Sequence, residues 1–222
     1  TKLFFAAIVI SISTKSIHSL KTSPPLARSD QIIDFASSQG ITLTITTLGP
    51  AYRAIAKSSH LADLDNDDED DAWNKNILGY CEGFIRPVGS ILHLDKMEVY
   101  STMTRRARKA NGKFKGGGTQ FGVGLLLGNL CLRHGIDNGC KFAEFLAIDD
   151  AEYQHKRLVR YYKALGLKEV RYVGEDIKDI PDRMVWGGCG TLMKAELDFL
   201  LAKWTPEFIT EDGSVRITAK KD

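Results

Sequence analysis

The chain has 222 residues, 43% of them hydrophobic and 26% charged, with a formal net charge of +2. That length suffices for one domain with a sizeable core, and the composition excludes a disordered or collagen-like chain. A charge this close to balance singles out no class of partner, but it is segregated: residues 63–71 are almost wholly acidic and residues 105–115 strongly basic.

Lys2 precedes a short apolar run over 3–13, well short of the roughly 20 residues that a membrane span needs. Ile17-His18-Ser19 ends on a small residue, so 1–19 reads as a signal peptide, with no membrane span left in the mature chain. A buried N-terminal strand or helix is the alternative. Residues 20–38 read as a transit-like linker, because 20–29 are basic, rich in hydroxyls and free of acids. A signal peptide followed by such a segment resembles the two-part presequence of algae with secondary plastids. A plastid location is the expectation, and secretion is the competitor. The four cysteines, Cys81, Cys131, Cys140 and Cys189, form no Cys-x-x-Cys pair, so no metal site is expected. Read as mostly buried thiols, they suit a plastid stroma better than the extracellular space.

The domain is expected over 39–204. Residues 41–47 alternate and are β-branched, which predicts a strand. Gly49-Pro50 breaks it, and 52–59 reads as a short helix. The acidic run 63–71 mimics the start of a calcium loop. Asp68 and Asn74, however, stand where that loop needs Gly and Glu, so it reads as a solvated loop. Residues 76–86 and 90–100 predict a hairpin turning at Pro87-Val88-Gly89, followed by a basic insertion over 101–116. Next come a helix over 125–134 capped by Gly135, a strand over 141–148 and a helix over 151–165 ended by Gly166. In that helix Leu158, Tyr161, Tyr162 and Leu165 form one stripe. Strands follow over 168–173 and 183–187. An added C-terminal helix over 191–204 carries an apolar face of Met193, Leu197, Leu200, Leu201 and Trp204. Residues 205–222 read as a loose tail.

Gly116-Gly117-Gly118-Thr119-Gln120-Phe121-Gly122-Val123-Gly124 opens directly into an apolar helix. Such a junction exposes backbone N–H groups at the positive end of a helix dipole, a cradle for an anion. A flexible linker gives the same composition. A dinucleotide loop needs a strand immediately before its glycines, and here a long basic segment stands there. That basic run has little aromatic interleaving, which argues against nucleic acid.

Two motifs in order, with a strand between them, resemble the Gcn5-related N-acetyltransferase (GNAT) superfamily over most of 41–190. The family's Arg/Gln-x-x-Gly-x-Gly/Ala matches Thr119-Gln120-Phe121-Gly122-Val123-Gly124 at both glycines. Its Leu-Tyr-x-x-x-Gly-Phe matches Tyr161-Tyr162-Lys163-Ala164-Leu165-Gly166-Leu167. The segment 185–191 looks like that of plant and algal members. The resemblance implies an α/β fold with a central mixed, twisted sheet flanked by helices. It also implies acetyl-CoA as co-substrate, with its pyrophosphate on the N–H groups from Gln120 to Gly124. The pantetheine arm would lie where two parallel strands splay apart, one of them carrying Met97 and Val99 and the other spanning 141–148.

In the family an amine attacks the thioester, and the tetrahedral intermediate collapses to a thiolate. A phenol with a pKa near 10 can protonate a thiolate whose thiol has a pKa near 8.5. Tyr162 matches that general acid and equally suits the apolar stripe of a core helix. Among carboxylates for the base, Glu98 ranks ahead of Asp95, Glu82 and Glu144. Three departures stand out: Thr119 replaces the first Arg/Gln, His155 replaces an Asn that lies near the cofactor, and Leu167 replaces a Phe. The expected function is transfer of an acetyl group to a primary amine, namely a protein N-terminus, a lysine or a small amine. The acidic run leans towards a cationic acceptor. The alternative is a non-catalytic assembly subunit of a plastid complex, docking or dimerising through the face of its last helix.

Overall fold

The computed structural model describes residues 25–61, 76–88, 90–110 and 122–216. The expected signal peptide, the acidic run, and Thr119, Gln120 and Phe121 lie outside the described residues.

The chain opens with helix α1 (Ser29–Ser38). Its Ile32, Phe35 and Ala36 are spaced to share one face, and all three are buried. The Gln31 side chain reaches back to accept the Arg28 N–H at 2.9 Å, tying down the helix start. The domain therefore begins at least ten residues before the expected boundary at 39. The hydroxyl-rich composition of the preceding residues obscures an apolar period that starts at Ile32.

Strands β1 (Ile41–Leu48) and β2 (Ala51–Ser58) form a full-length hairpin across Gly49-Pro50. Gly49 has a φ of 58°, as the first position of a tight two-residue turn requires. Strand β2 replaces the helix expected over 52–59. Its alanines suggest a helix, but Tyr52, Ala54, Ala56 and Ser58 alternate inward with period two. The expected hairpin follows as β3 (Ile77–Arg86) and β4 (Ile91–Val99). The first part of the basic insertion is helix α2 (Ser101–Ala110), anchored by the buried Ala107.

Helix α3 (Val123–Asp137), β5 (Phe142–Ile148), α4 (Glu152–Leu165) and β6 (Lys168–Val173) follow the predicted order. Gly166 ends α4 in the left-handed region, with a φ of 117°. Gly135 is not a cap, because α3 continues two residues past it. A Cβ there would stand 3.1–3.2 Å from Leu92 and Leu197, so this glycine allows close packing.

The last third differs most from expectation. The strand expected over 183–187 is helix α5 (Ile180–Trp186), with Pro181 in its first turn and Gly187 left-handed at its end, the usual terminal pair of a short helix. The helix expected over 191–204 is two elements, β7 (Gly190–Glu196) and α6 (Leu197–Phe208). Strand β7 fills the slot between β5 and β6, and pairing on both sides overrides the helical propensity of Met193-Lys194-Ala195-Glu196.

The seven strands form one mixed sheet in the order β1-β2-β3-β4-β5-β7-β6, and helices flank it. This is the fold class that the resemblance implies. Helices α1, α3, α4 and α6 cover one face, where the main core lies. On the other face, α5 sets Trp186 against Val173 and Leu192. The apolar face of α6 is turned into the main core, so it does not serve the docking role expected of it.

The tail is also part of the fold as far as Arg216. Phe208 is fully buried and meets Phe35 edge-on at 5.4 Å. Arg216 N–H donates to the Phe208 carbonyl at 2.7 Å, and Ile209 bridges Val215. Phe208→Ala is expected to destabilise the protein by about 3–5 kcal/mol. Chemical denaturation would measure this, and a loose tail would give a loss near zero.

Candidate functional site

Among the described strands, β4 and β5 are the only parallel neighbours. They pair from Ile91↔Phe142 to Leu94↔Phe145 and no further, although β4 runs on to Val99 and β5 to Ile148. The register against β3 slips at the same place. Gly83 faces Leu94 while Glu82 faces Lys96, which leaves Asp95 as an extra residue. A bulge of this kind bends its strand and interrupts regular pairing. From Asp95 to Val99 the backbone of β4 therefore has no strand partner on the β5 side among the described residues.

Gly83 makes the bulge possible. The buried Tyr52 hydroxyl donates to the His93 carbonyl at 3.0 Å. A Cβ on Gly83 would stand 2.0 Å from that carbonyl oxygen and 2.7 Å from the hydroxyl, so any side chain would push the two apart.

The N-terminus of α3 lies over this opening. Gly122 precedes the helix with φ 59° and ψ −139°, a conformation that glycine adopts without steric cost. The first-turn N–H groups, those of Val123 and Gly124 among them, lack helical acceptors and sit at the positive end of the dipole. A Cβ on Gly124 would lie 3.8 Å from Met97 Sδ, 3.7 Å from Val99 Cγ2 and 3.3 Å from the Tyr161 hydroxyl. Gly122, Val123, Gly124, Met97 and Val99 are thus brought together at one place.

Behind the cradle is a narrow cavity of about 30 Å³ between the sheet and α3, α4 and α6. Met97, Gly124, Phe145, Tyr161 and Tyr162 help to line it. The Tyr162 ring packs 5.1 Å from Phe145 and 5.8 Å from Tyr161. Burial, then the neighbouring Tyr161 and Cys81, push its pKa up to about 12. The phenol is therefore a donor across the physiological range, and it is both a core residue and a cavity residue.

Asn129 also lines this cavity and is 1% exposed. Its Nδ2 donates to the Leu125 carbonyl at 2.8 Å, which fixes the orientation of the amide. Its Oδ1 has no partner, and leaving such an acceptor unpaired costs about 1–3 kcal/mol. Asn129 was not singled out from the sequence, and Tyr161 entered only as part of the apolar stripe and the tyrosine motif. The available signal was a lone polar side chain in the apolar run from Val123 to Leu132.

Other expected residues lie elsewhere. The alternation of β4 puts Glu98 on the opposite face, where it accepts from the Tyr80 hydroxyl at 3.1 Å and pairs with Lys96 at 3.5 Å. His155 does not line the cavity. Its Nε2 is 3.0 Å from Thr191 Oγ1 and its Nδ1 is 3.6 Å from Asp149, so its polar atoms are held by β7 and the end of β5. Glu144 is buried between Arg86 at 3.3 Å and Lys194 at 2.9 Å. Glu82 faces Arg53 at 3.3 Å.

Asp95 is the least engaged of these carboxylates. Its side chain is 54% exposed, 3.9 Å from His93 Nε2. Together with Thr46, Arg53, Glu82 and Phe84 it lines an open groove of about 350 Å³. His93 is fully buried, stacked between Phe84 at 4.2 Å and Trp186 at 3.8 Å. Burial, and secondarily Arg86, lower its pKa to about 4, so the ring is neutral at pH 7. Among the described residues no group of three or more His, Cys, Asp or Glu could hold a metal ion.

No protein-family model matches the sequence, and no curated protein matches it. Solved structures of similar architecture include an acetyltransferase of the GNAT family from Staphylococcus aureus Mu50. It is 13% identical, and the match covers 76% of this chain and 92% of that one with a TM-score of 0.41. The aminoglycoside 6'-N-acetyltransferase from Enterococcus faecium is also 13% identical, over 76% of this chain and 90% of its own, with a TM-score of 0.38. A nourseothricin acetyltransferase is 12% identical, over 71% and 85%, with a TM-score of 0.37. At these identities and scores, no activity passes from those proteins to this chain.

Two outcomes are expected from the geometry of β4. Gly83→Ala should destabilise the protein by about 1–3 kcal/mol through overpacking, read from the denaturant midpoint. His93, neutral when folded, takes up a proton in the unfolded chain below its ordinary pKa of 6.5. Its contribution to stability is therefore complete above about pH 6.5 and is lost as the pH falls towards 4, about 3 kcal/mol in all. His93→Phe preserves the ring stack and should flatten the stability profile in that window. A profile unchanged from the wild type would count against a neutral buried imidazole.

Proposed function

We propose that the protein is an acyl-CoA-dependent N-acyltransferase that moves an acetyl group from acetyl-CoA to a primary amine. One observation carries this reading. The parallel strands β4 and β5 part directly beneath the glycine-lined start of α3, and Tyr162 occupies the cavity behind that opening. An arm with amide groups could hydrogen-bond the unpaired edge of β4, and a phosphate would suit the N–H groups of the first turn. Gly124 leaves space there that a larger side chain would fill.

Acetyl-CoA, when bound, supplies a thioester whose carbonyl carbon accepts an amine and whose sulfur leaves as a thiolate. Tyr162 holds the proton that this sulfur needs. Its raised pKa keeps the phenol protonated, and so able to donate, across the physiological range. On the other face Asp95 takes the place first given to Glu98. Glu98 is committed to Tyr80 and Lys96, whereas Asp95 is exposed at the bulge beside the groove, with only the neutral His93 ring at 3.9 Å. Its carboxylate accepts the proton that the attacking amine must shed, directly or through a water. The groove holds two carboxylates, Glu82 and Asp95, against one cation, Arg53, which favours a positively charged acceptor.

We further propose a plastid location, which rests only on the composition of the N-terminal residues, with the presequence ending before α1. The fate of a fluorescent fusion carrying residues 1–28 would test that.

Calorimetry should detect acetyl-CoA binding to the wild type. Tyr162→Phe should bind comparably and lose about 100-fold or more in kcat. Asp95→Asn should also lose rate, while Glu98→Gln stays within a few-fold of the wild type. Full turnover by Tyr162→Phe would remove it from the chemistry, and absence of acetyl-CoA binding would remove the whole reading.

A further inference from the structure

Asn129 is the one polar side chain in the apolar half of α3, and a leucine would suit the packing around it. Its amide is half satisfied: Nδ2 donates to the Leu125 carbonyl, and Oδ1 has no partner. Exchanging the two atoms would set oxygen against oxygen at 2.8 Å, so the acceptor end is fixed. The residue lines the same narrow cavity as Tyr162. The cavity encloses about 30 Å³. A water needs roughly 10–15 Å³ and two to four polar partners. Met97, Leu125, Leu132, Phe145 and Leu200 offer a water nothing to bond, and of the two further polar side chains in the lining, Tyr161 and Trp204, the indole N–H already donates to the Leu165 carbonyl at 3.0 Å.

We infer that Asn129 is a positioning residue for Tyr162, acting through one water held between Asn129 Oδ1 and the Tyr162 hydroxyl. This rests on the acyltransferase reading of the site. The water donates one hydrogen to Asn129 Oδ1 and the other to a lone pair of Tyr162 Oη. That arrangement leaves the phenolic proton free to leave towards the thiolate. As it leaves, the new phenolate oxygen keeps the hydrogen bond from the water, and a bond made to the charged form favours that form. Without the water the phenolate would form in a mostly apolar cavity and lose that donor. No oxidant or further reactant is involved, and the one proton transferred passes from Tyr162 to sulfur.

A high-resolution crystal structure and steady-state kinetics test this together. In the wild type a water is expected within hydrogen-bonding distance of both Asn129 Oδ1 and Tyr162 Oη. Asn129→Leu should be dry there and at least as heat-stable as the wild type. Its kcat should fall about 10-fold or more, the size of one hydrogen bond to a group that becomes charged. Its KM for acetyl-CoA should stay within twofold. Asn129→Ser, which restores an acceptor and leaves room for water, should recover most of the rate. It also serves if the leucine variant misfolds. A dry cavity in the wild type, or full kcat in Asn129→Leu, would overturn the positioning role. Acetyl-CoA binding separates the two ideas. No binding by the wild type removes the acyltransferase reading and the positioning role together. Binding with an undiminished kcat in Asn129→Leu removes the positioning role alone.

Discussion

The structure depends on where β4 stops pairing with β5. Two parallel strands that stayed in register to their ends would close the sheet and leave α3 resting on an unbroken surface. The extra residue at Asp95 prevents this. It is held by a short chain of close approaches: Gly83 has no side chain, so the Tyr52 hydroxyl can reach the His93 carbonyl. That buried bond satisfies a carbonyl at the point where the ladder slips. The opening, the seat of the helix terminus and the cavity behind it all follow from this one irregularity.

The two faces of the sheet have different physical characters. The face under α1, α3, α4 and α6 is mainly apolar, and Asn129 and the two tyrosines bring polar groups to the opening. The other face carries charge over β2 to β5. Arg53 lies 4.6 Å over the Tyr80 ring and Lys96 lies 5.5 Å from it, and Glu144 is shared by Arg86 and Lys194. Breaking that buried pair would leave an uncompensated charge and be strongly destabilising, about 3–5 kcal/mol. A donor buried on the apolar side and an acceptor presented from the charged side would then meet only at the opening.

Local signals in the sequence were legible. Gly166 and the tyrosine stripe before it mark the end of α4, the β-branched run marks β1, and the turn at Pro87-Val88 marks the β3–β4 hairpin. The order of glycine loop, strand and tyrosine helix was enough to indicate the fold class and to bring Gly124, Met97 and Tyr162 together. What failed was set by distant partners or by faint punctuation. Strand β2 hides a period of two among alanines. Helix α5 lies between a proline and a glycine, but its run of Met184, Val185 and Trp186 imitates a strand. Strand β7 is fixed by the slot between β5 and β6, which no window of its own sequence records. Asn129 reads as a blemish in a hydrophobic helix until the cavity beside it is known. The bulge at Asp95 is a relation between two strands and has no expression in one of them.

That bulge has a second effect, on parity. Along a regular strand, residues an even number apart share a face, so His93 and Met97 would lie side by side. They do not: His93 stacks between Phe84 and Trp186, and Met97 lies against α3. Asp95 acts as a phase shift: the odd-numbered position His93 faces the charged side before it, and the odd-numbered Met97 faces the apolar side after it. Its deletion would do more than remove a carboxylate. It would rotate the end of β4 by half a turn, carry Glu98 into the core, and place Met97 and Val99 among the charges. The length of this strand, counted in single residues, is therefore under tighter constraint than the identity of most of its side chains.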